Sequence, residues 1–352
     1  MIKNTISLLF LLVCFLSCAQ EQVPRSYVAH HIETPLEIDG KADEEVWQKA
    51  PFSASFIDIE GVKTPKYDTR VKMLWDDENL YFYAELKEPH VWATLKQRDT
   101  VIFYNNDFEI FIDPDGDTHN YYEFEMNALN TVWDLLLVKP YRESAPVLDS
   151  WDIQGLQTAV SIDGTLNDPT DTDAGWSVEI AMPWEVLKEA SGSNDLPADQ
   201  FWRINFSRVN WDHQLDGETY SRKKDAEGNF LPEYNWVWSP QGVINMHEPE
   251  HWGYVYFSTK PVSDEVTFEI PQEEKIRWKL YEFYRAQKAY FSEHKAWATS
   301  LEAIEAESFQ LDQKTITPVL DNHNYGWSIT VESPFSDASY RIQEDGKYSK
   351  IN

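Results

Sequence analysis

Residues 107–113 read Asp-Phe-Glu-Ile-Phe-Ile-Asp, so that Phe108, Ile110 and Ile112 alternate with Glu109, Phe111 and Asp113. The same period of two recurs in residues 121–127, 176–182 and 202–206. Successive side chains of a strand point to opposite faces, so this alternation predicts strands with one buried and one solvated face. So many short strands favour a mainly β protein, an antiparallel β-sandwich, over an α/β fold.

Outward from this segment, residues 70–75 and 80–86 flank the turn Asp76-Asp77-Glu78-Asn79 and predict a hairpin. Pro183 at a first-turn position predicts a helix over 184–190. Apolar residues at spacings of three and four predict a long helix over 273–307, followed by short strands at 327–331, 340–342 and 348–351. The predicted organisation is a signal at 1–18, an N-terminal tether at 19–33, the sandwich at 34–260, a linker at 261–274 and a C-terminal unit of long helix and short strands at 275–352.

The charge of the chain excludes several classes of partner. Its 352 residues carry 30 Lys and Arg against 60 Asp and Glu, a formal net charge of −30. Nucleic-acid binding needs a basic face, and docking on anionic lipid needs basic residues, so both are disfavoured. The acidity also disfavours strongly sulfated or uronic ligands and suits a neutral or cationic one.

The two cysteines, Cys14 and Cys18, both lie near the N-terminus. Disulfides, four-cysteine zinc sites and a cysteine nucleophile in the folded body are therefore excluded. Lys3, the apolar run 6–16 and the small Ser17 describe a secretory signal. Phe15-Leu16-Ser17-Cys18 resembles a bacterial lipobox, which implies cleavage before Cys18 and its diacylation; an ordinary cleaved signal is the alternative. We expect an exported lipoprotein of the outer membrane, on the cell surface or in the periplasmic leaflet.

Two motifs contain metal-ligating residue types. His247-Glu248-Pro249-Glu250-His251 satisfies the HExxH zinc-protease string, but Pro249 would break the helix that this chemistry needs, so a turn is favoured. Asp113-Pro114-Asp115-Gly116-Asp117 begins like an EF-hand loop but departs at its glycine and twelfth position. Asp113, Asp115 and Asp117 remain candidates for a looser calcium site, with a solvated turn as the alternative.

Carboxylates near strand ends are candidates for general acid and base catalysis. They are Asp107, Glu109, Glu123 and Glu125, and the alternation places Glu109 and Glu125 on the solvated side of their strands. The chain has neither a phosphate-binding loop nor the clustered glycines of a dinucleotide-binding fold, so no nucleotide cofactor is expected.

Seven segments, in order, resemble the motifs of carbohydrate-binding module family 9-like domains, over residues 34–258. They are residues 36–47, 71–81, 106–113, 124–127, 176–183, 203–208 and 249–253. The resemblance implies a β-sandwich related to DOMON domains, sugar binding and often structural calcium. Members from Bacteroidetes are typically outer-membrane lipoproteins encoded with polysaccharide-degrading enzymes.

The family's best-known members clamp a terminal sugar between two Trp rings, and this clamp is altered here. The first ring aligns near Phe103 or Tyr104 and the second at Met246, while Glu125 replaces a basic residue. Sugar recognition needs a ring over the C–H face and forked polar groups for hydroxyls. The predicted substrate-binding residues are Phe103, Tyr104, Glu109, Glu125, Asn127, Trp133, Arg208, Asn210, Trp211, Trp236 and Trp238.

The predicted function is a non-catalytic carbohydrate-binding lipoprotein that captures a polysaccharide or oligosaccharide at the cell envelope, within a glycan-utilisation system. The alternative is a glycoside hydrolase or lyase with paired carboxylates in an aromatic cleft. A DOMON-like electron-transfer module with a haem ligated by Met and His, suggested by Met246-His247, is a third hypothesis. A fourth is binding of an envelope protein partner through the C-terminal unit.

Overall fold

The computed structural model describes residues 23–351. The predicted signal at 1–18, with the lipidation site Cys18, lies outside the described residues. Among the helices described, none combines the length and the apolar character that a membrane crossing requires.

The predicted sandwich is confirmed and holds most of the regular structure. Its strands are β1 (Ser26–His31), β2 (Ile57–Asp58), β3 (Thr69–Trp75), β4 (Asn79–Lys87), β5 (Asp107–Asp113), β6 (Tyr121–Asn127), β7 (Val132–Leu137), β8 (Val147–Leu148), β9 (Gln157–Asp163), β10 (Gly175–Pro183), β11 (Phe201–Asn210), β12 (His213–Asp216), β13 (Thr219–Arg222), β14 (Tyr234–Val237) and β15 (Gly253–Ser258). Two short helices, α1 (Glu45–Lys49) and α2 (Trp184–Leu187), lie among them.

One hydrogen-bonded sheet curls until its two halves face each other. Its strands follow the order β8-β7-β6-β5-β11-β15-β1-β3-β4-β10-β9, with β14 also paired to β11. The pairings of β1 with β15 and with β3 are parallel, and the other pairings along this path are antiparallel. Residues 26–31, which the sequence assigned to a tether, therefore join the two halves of the sheet.

The core lies between the two halves. Phe108, Ile110 and Ile112 of β5 pack in one buried cluster with Phe82 of β4 and Val178 of β10. Each of these side chains is almost completely buried. Because burying a large apolar side chain contributes about 1.5–3 kcal/mol, this inner face fixes the position of β5.

The outer face of β5 and β6 departs from the expected solvated face. Every residue of both strands is buried, including Glu109 and Glu125. The alternation in the sequence places both carboxylates correctly on the outer face. Alternation cannot predict, however, that loops near Phe103, Tyr141 and His247 cover this face. The prediction that Glu109 and Glu125 are solvated was therefore wrong.

The C-terminal unit begins with α3 (Glu274–His294), which ends 13 residues earlier than predicted because Lys295 takes a left-handed conformation. A small sheet follows and confirms the predicted short strands. This sheet contains β18 (Val319–His323), β19 (Gly326–Glu332), β20 (Ser339–Gln343) and β21 (Tyr348–Ile351), and a separate hairpin before it contains β16 (Phe309–Leu311) and β17 (Lys314–Ile316). Ile276, Leu280 and Phe283 of α3 pack on Trp327 and Ile342 of this sheet.

Buried ion pairs join the C-terminal unit to the sandwich. Glu274 of α3 lies 3.3 Å from Arg203 of β11 and 2.9 Å from Arg277. Arg277 also donates a hydrogen bond to the carbonyl of Gly116 in the turn between β5 and β6. The 113–117 turn is therefore an interface element, and not the solvated turn that the sequence offered as an alternative to a metal site.

We predict that Arg277→Ala lowers the free energy of unfolding by about 3–5 kcal/mol, because it leaves the buried Glu274 less well paired. Lys275→Ala is the matched control, since the ion pair of Lys275 with Asp312 is solvent-exposed and should contribute less than about 1 kcal/mol. Urea unfolding of both variants measures the difference. Equal losses in the two variants would contradict the role given to Arg277.

Candidate functional site

Strand register brings acidic and aromatic side chains together on the outer face of the sheet. Glu109 of β5 pairs directly with Glu125 of β6, and Glu125 pairs on its other side with Trp133 of β7. Ser207 of β11 continues the row beyond Glu109. Residues two apart on a strand share a face, so Glu123 lies beside Glu125 on the same surface.

Loops close over this row and form a cavity of about 370 Å³, which we name the acidic cavity. Its wall combines three carboxylates of the sheet with aromatic, apolar and amide side chains. The lining residues are Phe103, Glu109, Phe111, Glu123, Glu125, Trp133, Leu135, Tyr141, Val209, Glu233, Asn235, Met246 and His247. Tyr141 is 47% exposed, so its ring is available at the rim.

Burial disfavours the charged form of the carboxyl groups that line the acidic cavity. Burial raises the pKa of Glu109 to about 7, and the nearby Glu233 adds to the rise. Burial and then the charge of Glu109 raise the pKa values of Glu123 and Glu125 well above the ordinary range. Asp107, at the start of β5, shows the same rise in pKa for the same two reasons.

No permanent cation lines the acidic cavity among the residues described. Burial, with a smaller effect from Arg142, lowers the pKa of His247 to about 3, so this imidazole is neutral. Its Nδ1 lies 2.9 Å from the hydroxyl of Tyr121, and its Nε2 lies 3.8 Å from a carboxylate oxygen of Glu123. The cavity therefore offers hydrogen-bond acceptors and carboxyl groups to a ligand.

Four of the predicted substrate-binding residues line the acidic cavity: Phe103, Glu109, Glu125 and Trp133. Two others lie just outside it. The indole N–H of Trp211 donates a 2.7 Å hydrogen bond to the carbonyl of Phe103 and so positions that residue. The ring of Tyr104 is 46% exposed and lies 4.6 Å from the guanidinium of Arg222.

The predicted polar ligands Asn127, Arg208 and Asn210 have structural roles instead. The Arg208 guanidinium is fully buried, lies 2.7 Å from Glu88 and donates to the side chain of Asn210. The side-chain amide of Asn127 donates to the carbonyl of Leu95 at 2.9 Å. These three side chains bond to other protein groups, and they do not line the acidic cavity.

Trp236 and Trp238 lie in the core, where they are 2% and 1% exposed. Trp236 belongs to β14, and Trp238 follows this strand directly. Both rings pack in the main buried cluster between the two halves of the sheet. They are therefore unavailable to a ligand, and their large apolar rings account for their burial.

Sequence reasoning missed other residues of the acidic cavity, among them Tyr141, Glu233 and Asn235. These residues come from loops or from a short strand, and no periodic pattern marks them. Met246 and His247 also line the cavity. The sequence analysis named Met246 as the residue that replaces the second Trp ring, His247 as part of the HExxH string, and both in the haem hypothesis.

The three carboxylates of the 113–117 turn, the predicted calcium site, already have partners within the protein. Asp113, Asp115 and Asp117 bring oxygens within 4.8 Å of one another. Asp113, however, accepts backbone N–H groups from Gly116 and Thr118, and Asp117 lies 2.9 Å from the ammonium of Lys347. An ion bound to all three would displace Lys347, so the turn fits calcium poorly. Calcium at this turn stays a prediction.

The HExxH string does not form a protease helix. Pro249–His251 is a single 3₁₀ turn, and His247 precedes it in the loop. Glu250 lies 3.1 Å from Arg142 and 2.7 Å from Arg285, so its charge is used in ion pairs. The expectation of a turn leading into β15 is confirmed.

A larger cavity of about 560 Å³ lies where the sandwich meets the C-terminal unit. Arg277, Asp115 and Phe201 are among its lining residues, and Arg277 is already held by Glu274 and Gly116. The acidic cavity is the better candidate because it gathers carboxyl groups that lack such partners.

Several solved structures are similar to this chain. A candidate carbohydrate-binding protein from Bacteroides uniformis is 18% identical, covers 67% of this chain and 100% of its own, and gives a TM-score of 0.47. A family 9 carbohydrate-binding module from Caldicellulosiruptor kristjanssonii in complex with cellotriose is 16% identical, with coverage of 70% and 100% and a TM-score of 0.43. A family 9 module from Caldicellulosiruptor kristjanssonii in complex with glucose is 16% identical, covers 69% of this chain and 100% of its own, and gives a TM-score of 0.44.

No curated protein matches the chain. Among protein families, the one described as carbohydrate family 9 binding domain-like matches residues 38–222. This match spans more than half of the chain and includes β5, β6, β7 and β11, the strands that carry most of the acidic cavity. The chain therefore belongs to the carbohydrate family 9 binding domain-like family.

Proposed function

We propose that this protein is a non-catalytic carbohydrate-binding protein that captures the end of a polysaccharide or oligosaccharide in the acidic cavity. Membership of a carbohydrate-binding family supports the ligand class. The observation that carries the location is the meeting of Glu109, Glu123 and Glu125 with Trp133 and Tyr141 around one cavity. Its volume of about 370 Å³ suits a small-molecule ligand.

The chemistry of the lining favours neutral or amine-bearing sugars. Aromatic rings such as Tyr141 cover the apolar C–H face of a pyranose. Carboxyl groups accept hydrogen bonds from sugar hydroxyls, and a charged carboxylate attracts an ammonium group. Uronic acids and sulfated sugars are disfavoured, because carboxyl groups line the cavity and, among the residues described, no Arg or Lys lines it to attract an anion.

Catalysis is the second candidate function, and one observation favours it. Glu109 and Glu125 are cross-strand neighbours whose nearest oxygens lie within 4.8 Å, and the pKa of Glu109 is raised by burial to about 7. Retaining glycosidases hold two carboxyl groups about 5 Å apart, one of them a general acid with a raised pKa. Release of reducing sugar during incubation separates a hydrolase from a binding protein.

The cellular setting is part of the proposal and rests on the sequence. The lipobox-like segment ending at Cys18 supports an anchor in the outer membrane, and the family resemblance supports a place in a glycan-utilisation system. The C-terminal unit, with Tyr325 90% exposed on the turn between β18 and β19, is the proposed surface for an envelope protein partner.

Titration calorimetry of the chain from Ala19 against neutral oligosaccharides tests the ligand class. We expect a saturating heat with at least one neutral sugar and none with its uronic counterpart. Heat flow that continues after mixing would favour the hydrolase, the second candidate function. Absence of a binding heat with every sugar would contradict carbohydrate binding.

We predict that Tyr141→Ala weakens sugar binding about ten-fold, equivalent to about 1.4 kcal/mol, because it removes an aromatic ring from the rim. Tyr325→Ala is the matched control, since that ring is exposed on the C-terminal unit, away from the acidic cavity. The same titration measures both variants. Equal affinities for the two variants would place the sugar elsewhere.

We predict that stability falls with rising pH because of Glu109. Its pKa is raised from 4.5 to about 7 by burial, so the folded state holds a proton that the unfolded state releases. The stabilisation, about 3 kcal/mol, is fully present below pH 4.5 and is lost as the pH rises through about 7.

Thermal unfolding in a chelating buffer from pH 5 to 8 checks this dependence. The melting temperature should fall in the wild type and fall less in Glu109→Gln, which cannot ionise. Glu227→Gln, an exposed carboxylate, is the control and should follow the wild type. If the melting temperature of Glu109→Gln fell with pH as much as that of the wild type, Glu109 would not be the origin of the pH dependence.

We predict that Cys18→Ser moves the protein from the membrane fraction to the soluble fraction and abolishes labelling by a radioactive fatty acid. Cys14→Ser is the control and should keep both, since only Cys18 follows the lipobox-like segment. Labelling retained in Cys18→Ser would contradict the lipid anchor.

A further inference from the structure

Four groups of acidic side chains in residues 23–351 bring oxygen or nitrogen ligand atoms within 4.8 Å of one another. Three of the four include a carboxylate that is paired with a protein cation. Asp117 of the 113–117 turn pairs with Lys347. Glu248 and Glu250 pair with Arg285, and Glu250 also pairs with Arg142. Asp99, Asp134 and Asp152 share Arg98.

The fourth group, Asp107, Glu109 and Glu125, has no such partner. None of its carboxylates forms an ion pair within the part of the chain that the structure describes, and the nearby Arg208 is paired with Glu88 instead. The three side chains are 0%, 5% and 1% exposed. Burying charges without a counterion is costly, so this group needs either protons or a cation.

Unpartnered oxygens mark the same place. One oxygen of Asp107 accepts the backbone N–H of Val209 at 3.2 Å, but Oδ2 is buried and has no hydrogen-bond partner. Glu123, which lines the acidic cavity and is 5% exposed, likewise has a buried Oε2 without a partner. Buried polar atoms are nearly always satisfied, so a water molecule or an ion is expected beside these oxygens.

We propose that Asp107, Glu109 and Glu125 bind a divalent cation of the calcium type beside the acidic cavity, whose wall includes Glu109 and Glu125. All the converging donors are carboxylate oxygens, which hard cations prefer. Zinc sites usually include His or Cys ligands, and the three converging carboxylates supply oxygen alone.

The bound cation gives the sugar proposal a mechanism. Calcium takes 6–8 oxygen ligands, more than these carboxylates supply when some bind through one oxygen. The remaining positions face the acidic cavity, where two neighbouring sugar hydroxyls can occupy them beside Glu123 and Trp133. This step rests on the proposed function, whereas the cation site itself stands on the carboxylates alone.

Calorimetric titration of the metal-stripped chain from Ala19 with calcium chloride, and separately with magnesium chloride, tests the site. We expect calcium to bind and to raise the melting temperature. Glu109→Gln should weaken calcium binding at least about ten-fold. Asp115→Asn, in the 113–117 turn, should bind like the wild type.

Folding is checked separately from binding. Removing one of several like charges should leave the melting temperature of Glu109→Gln in chelator equal to or above that of the wild type. Glu125→Gln repeats the test if Glu109→Gln does not fold. Absence of calcium binding in the wild type, unchanged affinity in a folded Glu109→Gln, or loss in Asp115→Asn alone would overturn the site.

Sugar titrations with calcium and with chelator separate the two proposals. Sugar binding that chelator abolishes supports the cation as a ligand to sugar. Equal sugar binding in chelator would overturn the mediating role and leave the proposed function standing. Calcium binding at the site with no sugar binding would support the cation site and contradict the proposed function.

Discussion

Much of the structure depends on the pairing of β5 with β6. The register of this pair decides both which side chains enter the core and which side chains meet at the candidate site. Phe108 and Ile110 point inward to the packed core, and Glu109 and Glu125 point outward as direct cross-strand neighbours. A slip of one residue would exchange the two faces and bury Glu109 in the apolar core. Packing of the core therefore keeps two acidic side chains side by side, an arrangement that is unfavourable when both are charged.

Loops convert this face into a cavity. The 3₁₀ turn that carries Phe103 is held by the indole N–H of Trp211, and the loop that carries His247 is held by the hydroxyl of Tyr121. Rigid strands thus supply Glu109, Glu125 and Trp133, and anchored loops add Phe103 and His247 and exclude water. Exclusion of water raises the pKa of Glu109 and strengthens any electrostatic contact with a ligand.

The sequence predicts the strands well because their period of two is a local signal. The hairpin of β3 and β4, the alternation in β5 and the short strands that end the chain all agree with the structure. Glu109, Glu125, Phe103 and Trp133 were identified as site residues from the sequence and line the acidic cavity.

The remaining site residues depend on long-range packing, which leaves no local pattern. Arg208 was expected to bind hydroxyls, but it is fully buried against Glu88, a residue 120 positions earlier. Trp236 packs in the core. Tyr141 lines the cavity through a loop that no motif marks.

A crystal structure of the mature chain soaked with calcium and a neutral oligosaccharide tests the central claim most directly. Our account predicts a sugar ring between Trp133 and Tyr141, and a sugar bound on another face with the acidic cavity empty would contradict it.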